Sequence, residues 1–384
     1  MHDIPQPDWD PRSQTVLDDQ VAAYDSMRGR CPVAYSDFLH WSVFRHADVM
    51  RVLKDHVTFS NVASRHMSVP NGMDPPEHTA YRALIEPYFT TERVQAFEPA
   101  CRDIAAGLVT RLPAGGEVEL MGSFAQEFAL RIQCAFMGWP TEMNEPLRRW
   151  VQRNHDATLA GNRAATAAVA LEFDGFVRHL LDVRREAGNT VPDDVTTRLL
   201  RERIDDRPLT DEEIVSIVRN WTVGELGTIS ASAGILTQYL ATHPDLQSRL
   251  RENPSLLPAA IDEILRIHAP LIANRRATTR AVEIGGRRFA AGARLSLIWA
   301  SANRDEAVFG DPDEFRLDRD PAQNLLYGTG IHVCPGAGLA RLELRVVMEE
   351  LLKHTRAIAL VPDRPPEQET YPASGFASLT LRID

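Results

Sequence analysis

Cys334 stands in the run Tyr327-Gly328-Thr329-Gly330-Ile331-His332-Val333-Cys334-Pro335-Gly336. The glycines let the backbone turn tightly and approach a flat ligand closely. Leu339, Leu342, Val346 and Leu351 follow at near-helical spacing, so a helix starts just beyond the thiol. The positive end of that helix favours a thiolate. A thiolate is the ligand that a haem iron takes from cysteine, and it lends electron density to bound dioxygen.

A second cluster is Gly224-Glu225-Leu226-Gly227-Thr228. Two glycines inside a helix cost ~1 kcal/mol each relative to alanine, which implies a close approach to the backbone or a local distortion. Gly224 and Thr228 share a face, and Glu225 borders it. The Thr228 hydroxyl has two uses there: it bonds the carbonyl four residues back, or it holds water that a carboxylate supplies with protons. Glu263-Ile264-Leu265-Arg266 places two opposite charges one helical turn apart, as His78 and Arg82 are placed within Asp74-Pro75-Pro76-Glu77-His78-Thr79-Ala80-Tyr81-Arg82.

The run from Gly328 to Arg341, G-x-G-x-H-x-C-x-G-x-x-L-A-R, resembles the haem-binding loop of the bacterial cytochromes P-450. The likeness extends from about residue 15 to the end of the chain. It implies a mainly α fold with small β-sheets, with haem b (iron protoporphyrin IX) between a long central helix and the helix after the cysteine loop. It makes Cys334 the iron ligand and Tyr327, Gly328, Gly336 and Gly224 part of the cofactor pocket. His78, Arg82, Arg275 and His332 become the propionate anchors, and Thr228 with Glu225 the proton-delivery pair. Glu263 and Arg266 become a structural network, completed by a later arginine for which Phe315-Arg316 fits.

The chain departs from the family pattern in places. Tyr327 replaces the usual phenylalanine, Gly227 stands where an acid precedes the threonine, and Glu225 holds the place of a glycine. The run Asn220–Glu225 and the cysteine loop also resemble a subgroup often fused to its reductase. The substrate pocket implied by the family draws on 61–73, Val223–Thr228, 270–274 and 374–376. Those segments are mostly small and apolar, which favours a small apolar or aromatic substrate.

These groups need long helices to position them. Apolar residues recur at three- and four-residue spacing over 92–112, 122–138, 163–187 and 211–242. Thr210-Asp211-Glu212-Glu213 is a capping box for the last of these, which is long enough to cross the whole protein. Strand-like pieces lie at 32–44, 281–286, 294–299 and 376–383, with a hairpin turn at Gly285-Gly286.

The 384 residues are 44% hydrophobic and carry a net charge of −11, which disfavours nucleic acid and anionic membranes as partners. No tract divides the chain, so one domain over 1–384 is expected, with 1–14 a flexible segment. The start Met1-His2-Asp3-Ile4-Pro5 has no signal pattern, and no apolar run reaches the ~20 residues of a membrane span. A cytoplasmic, monomeric bacterial enzyme is the expectation. Cys31, Cys101 and Cys134 have no C-x-x-C spacing and carry no assigned role.

No dinucleotide-binding glycine pattern and no iron–sulfur cysteine spacing occurs, so electrons are expected from a separate ferredoxin or flavoprotein reductase. Arg341, Arg345 and Lys353 lie on the side where the family receives that donor. The resulting function is a haem-thiolate monooxygenase performing hydroxylation or oxidative O-dealkylation. A peroxide-driven peroxygenase and a non-enzymatic haem sensor are the alternatives.

Overall fold

A computed structural model describes residues 6–64, 66–371 and 373–384. Among them, helices of seven or more residues are α1 (Gln20–Arg30), α2 (His46–Lys54), α3 (Glu77–Ile85), α4 (Thr91–Val109), α5 (Gln126–Met137), α6 (Asn144–Leu159), α7 (Arg163–Ala187), α8 (Val195–Arg201), α9 (Asp211–Thr242), α10 (Pro244–Glu252), α11 (Leu257–His268) and α12 (Ala337–His354). The main sheet holds β1 (Val33–Ser36), β2 (His40–Val43), β3 (Phe59–Ser60), β4 (Ala273–Thr278) and β5 (Arg294–Ile298), in spatial order β1-β2-β5-β4-β3. Only the β2–β5 pairing is parallel. A smaller antiparallel sheet joins 358–360, 380–383 and 116–119. The fold is the expected mainly α one with small sheets.

α9 runs 32 residues without a break, through both glycines. Its start is the expected capping box: Thr210 accepts from the Glu213 amide, and the Glu213 carboxylate accepts from the Thr210 amide. Glu213 also accepts from Arg207 and from the Tyr81 hydroxyl of α3, and the Arg207 guanidinium is the main reason its carboxyl sits low, at about 2. The Gly285-Gly286 hairpin forms with both glycines at positive φ, 56° and 78°.

Around α9 the largest apolar core gathers α4, α5, α7, α11 and α12. α4 and α12 lie against each other, joined by Arg102 to Glu98, Glu349 and Glu350 and by Arg345 to Glu98 and Glu349. The cations expected on the donor-facing side are thus already paired: Arg345 as above, Arg341 with Asp262 at 3.0 Å, and Lys353 with Glu350 at 3.5 Å.

Of the segment 1–14 expected to be flexible, residues 1–5 lie outside the described residues and part of the rest packs on the body of the protein. Trp9 is buried edge-on against Phe44 and Tyr24, and Asp8 accepts from the Tyr35 amide and from Arg287. A buried indole and two polar ties hold this segment down, which its polar composition did not suggest.

Candidate active site

The loop before α12 is shaped by its glycines. Gly328 has φ +72°, and a Cβ there would stand 2.7 Å from the Trp299 ring. Gly330 has φ +76°, and a Cβ there would stand 2.5 Å from the Leu53 carbonyl oxygen. Both positions demand glycine. At Gly336 a Cβ would meet the Phe89 ring at 3.7 Å and the Cys334 sulfur at 3.9 Å, both ordinary contacts. The Cys334 amide donates to the Tyr327 carbonyl at 2.9 Å, which closes the loop.

The Cys334 side chain is accessible, yet protein surrounds its sulfur on nearly every side. It therefore opens onto an interior cleft. Burial pushes the thiol above its ordinary pKa, against the pull of the Gly336 backbone and the Arg82 guanidinium. The helix start thus does not suffice to make a thiolate; binding a metal ion must supply the rest.

One face of α9 is open in the same way. Val223, Gly224 and Gly227 are exposed in the middle of a helix otherwise deep in the core, and Cβ atoms at the two glycines would meet nothing within 4 Å. The helix is undistorted, so the glycines serve a close approach rather than a kink. Thr228 donates its hydroxyl proton to the Gly224 carbonyl at 2.6 Å, one of the two uses weighed for it. That bond fixes the rotamer and leaves the hydroxyl oxygen as an acceptor.

Donors without partners collect beside this cleft. The His78 and His332 rings lie 4.2 Å apart, and both Nε2 atoms are buried without a partner. Trp299 Nε1 and the Tyr327 hydroxyl are also buried and unpartnered; a cation, Arg341, lies over the Tyr327 ring at 4.3 Å. Burial drives His332 down to about 3, and its leading charged neighbours (His78, Arg276, Arg82 and His56) push the same way. His78 is lowered too, by burial first and then by Arg82. Buried donors in a positive field, next to an accessible thiol and a side-chain-free helix face, fit a flat group bearing carboxylates. Haem with its two propionates is such a group, so these residues fit it.

Two assignments change. Alternation along β4 leaves Arg275 exposed near His40 and buries Arg276 to 3% exposure. Arg276 is the inward cation, lowered by burial to about 10, with one hydrogen bond, to the Arg275 carbonyl. Sequence inspection missed it because 273–278 is too polar to read as a strand. Arg82 is partly committed: it bonds Glu86 at 2.9 Å and the Val333 carbonyl, next to Cys334, at 2.7 Å. We expect Arg276→Ala to weaken haem retention, measured as the haem-to-protein ratio after gel filtration, while Arg275→Ala leaves it unchanged. A charge-assisted contact of ~1.5–3 kcal/mol is at stake.

The second change concerns the charge network. Glu263 and Arg266 pair as expected, bidentate at 2.8 and 2.9 Å, but the arginine that joins them is Arg319, whose Nε lies 2.8 Å from Glu263. Arg316 gives Glu263 only its backbone amide and turns its side chain to Asp318.

Of the segments expected to form the substrate pocket, 61–73 and 374–376 reach α9, while 270–274 lies against Trp299; residue 65 lies outside the described residues. The Val69 amide donates to Ser216, and Asn220 donates to the Val69 carbonyl. Gly375 packs against Ala231, Ser374 bonds the Ala269 carbonyl at 2.7 Å, and Ile272 accepts from the Trp299 amide.

Glu225 does not simply join Thr228. Its carboxyl is buried, with Oε1 unpartnered, and within hydrogen-bonding reach of Glu343 on α12, a residue not singled out from the sequence. The signal was there: Glu343 stands four residues after Leu339 and three before Val346, within the apolar stripe of its helix.

Residues 141–383 match the family described as Cytochrome P450. The chain is 32% identical over 364 residues to erythromycin C-12 hydroxylase from Saccharopolyspora erythraea, covering 91% of each protein. It is 31% identical to the cyclomarin C epoxidase CymV from Salinispora arenicola, over 81% of this chain and 82% of that one. The structure of a mutant of P450 EryK in complex with erythromycin B superposes with a TM-score of 0.87 at 28% identity, over 96% of this chain and 97% of the other. These relatives lend no support to the expected likeness to reductase-fused members. Among the described residues no helix is long and apolar enough to cross a membrane.

Proposed function

This chain belongs to the cytochrome P450 family, and from that premise we propose how its own residues perform monooxygenation. The observations that carry the reading are the accessible Cys334 side chain and the side-chain-free Gly224 and Gly227 of α9, whose intervening Glu225 is near enough to act on the sulfur. Haem b, when bound, supplies dioxygen activation and oxygen insertion.

Cys334 would hold the iron through its sulfur. His78, His332, Arg276 and Arg82 would orient the cofactor through its carboxylates and fix its depth in the cleft. Thr228, its proton already given to Gly224, accepts a hydrogen bond from water and so pins that water at its Oγ1. Glu225, three residues earlier, is the acid near enough to protonate the pinned water, in place of the acid absent at Gly227. Electrons come from a separate ferredoxin or flavoprotein. The exposed Val223 beside Gly224 and Gly227 on α9 supports a small apolar or aromatic substrate, hydroxylated or O-dealkylated. Substrate-induced Soret shifts across a panel of such compounds test that class; shifts only with large polar ligands would reject it.

The proton reading predicts that Thr228→Ala retains substrate binding and oxygen uptake but diverts reducing equivalents to hydrogen peroxide. Product per electron pair should fall at least tenfold, a threshold set below the ~100- to 10,000-fold worth of positioned acid catalysis. Unchanged coupling would remove Thr228 from proton delivery. The displaced acid also favours a second reading, turnover driven by peroxide alone. Product formed from peroxide without any donor, at the rate of the donor-driven reaction, would establish it.

A further inference from the structure

Three carboxylate oxygens in the middle of the protein lack any donor. They are Glu225 Oε1 on α9 and both oxygens of Glu343 on α12. Glu343 is wholly buried, and no cation acts on either carboxyl. The two carboxyls are within hydrogen-bonding reach of each other. Two ionised carboxylates cannot hydrogen-bond, since each only accepts. Placed together without a cation, they would add mutual repulsion to the cost of burial. Their juxtaposition requires a proton between them.

We propose that Glu225 and Glu343 form one acid pair that holds at least one proton at neutral pH and feeds it, through Glu225, to the water at Thr228. This rests on the proton-delivery reading given above. Glu225 shares α9 with Thr228 while Glu343 lies on α12, so Glu225 is the outlet and Glu343 the reserve. In the step, the Glu225 O–H breaks and its proton passes to the water oxygen. That water releases one of its own protons into the cleft, and the ionised pair takes up one proton from bulk water, which the two carboxyls again share, so no electrons change hands. Glu343 acts only through Glu225 and is a positioning residue.

The surroundings favour the protonated pair. Burial is the main cause raising both carboxyls, Glu225 to about 8, and the Cys334 sulfur raises Glu343 further. Cys101 on α4 and Tyr327 also face the pair; burial holds both neutral. The pair's titration belongs to both groups together. Because the folded state holds a proton that the unfolded chain releases near the ordinary glutamate pKa of 4.5, the pair's stability contribution is full below that value. It is lost as pH rises toward about 8.

The test uses the haem-loaded protein and its Glu225→Gln and Glu343→Gln variants, since an amide keeps the shape and brings its own donor. Infrared spectra at pH 6 and pH 9 should show a protonated-carboxyl band that is lost at high pH. Either substitution should remove or shift it, and both should flatten the fall in melting temperature over that interval. Absence of the band, or indifference to both substitutions, overturns the shared proton. Coupling should fall at least tenfold in each variant, with the wild-type pH profile flattened. If the band behaves as stated but both variants couple as wild type, the pair is structural and the proposal fails. Thr228→Ala would still report separately on the water at Thr228: normal coupling there overturns the reading on which the pair's role depends.

Discussion

Cys334→Ser will bind little haem, and Cys334→His will bind haem without the long-wavelength ferrous carbonyl band of a thiolate ligand. Both will lose monooxygenation outright. The loop is built to present one atom: two glycines at positive φ pass under Trp299 and beside Leu53, and the Cys334 amide is tied back to Tyr327. A serine fits that space, but its hydroxyl has no accessible anion. The thiol is itself pushed upward by burial, so the bound iron must take the place of its proton. It follows that haem loading of the wild-type protein is coupled to release of one proton and weakens toward acid pH. An imidazole avoids that step but brings no negative charge. A normal carbonyl band in Cys334→His would remove this residue from the iron.

Arg266→Ala will cost about 3–5 kcal/mol of stability, the range seen when one partner of a buried pair is removed and the other charge stays behind. Arg266 is 1% exposed, grips Glu263 with two nitrogens, bonds the carbonyls of Asn303 and Pro312, and stacks on the Phe309 ring at 4.6 Å. Glu263 would be left with Arg319, whose other donors hold the Phe309, Asp311 and Glu314 carbonyls. Denaturant midpoints on haem-saturated protein measure the loss. The folded fraction should keep the thiolate carbonyl band, which separates this lesion from one at Cys334. Arg316→Ala, whose side chain is 46% exposed and meets only Asp318, should stay within about 0.5 kcal/mol of wild type. Equal losses at 316 and 319 would restore Arg316 to the network.

Legibility in the sequence followed the regularity of the backbone. α9 and α7 fall on the ranges that helical spacing marks, because caps and 3.6-residue periodicity are local signals. The Gly285-Gly286 hairpin was equally plain. Arg276 was missed because β4 has no apolar alternation to reveal its two faces, and without the strand there is no way to tell which of two adjacent arginines points inward. Arg319 was missed because the stretch from 311 to 320 has no period at all; its turns are set by the very arginine in question. Glu343 and Glu225 sit on separate helices, and only tertiary packing brings two acids together. Thr228 was readable, yet the direction of its proton was not, since both hydrogen-bonding choices suit the same residue.

The positive collar around His332 bears on the life of the chain before its cofactor arrives. Burial and positive neighbours keep that ring neutral, and the buried Arg276 bonds only a backbone carbonyl, so the freshly made protein holds a cation without an anion where a dianion belongs. Cofactor binding then shifts the folded population by mass action, and a chain made faster than haem is supplied spends longer open to proteases. The amount of protein an expressing culture yields should therefore track haem supply more steeply than transcript level.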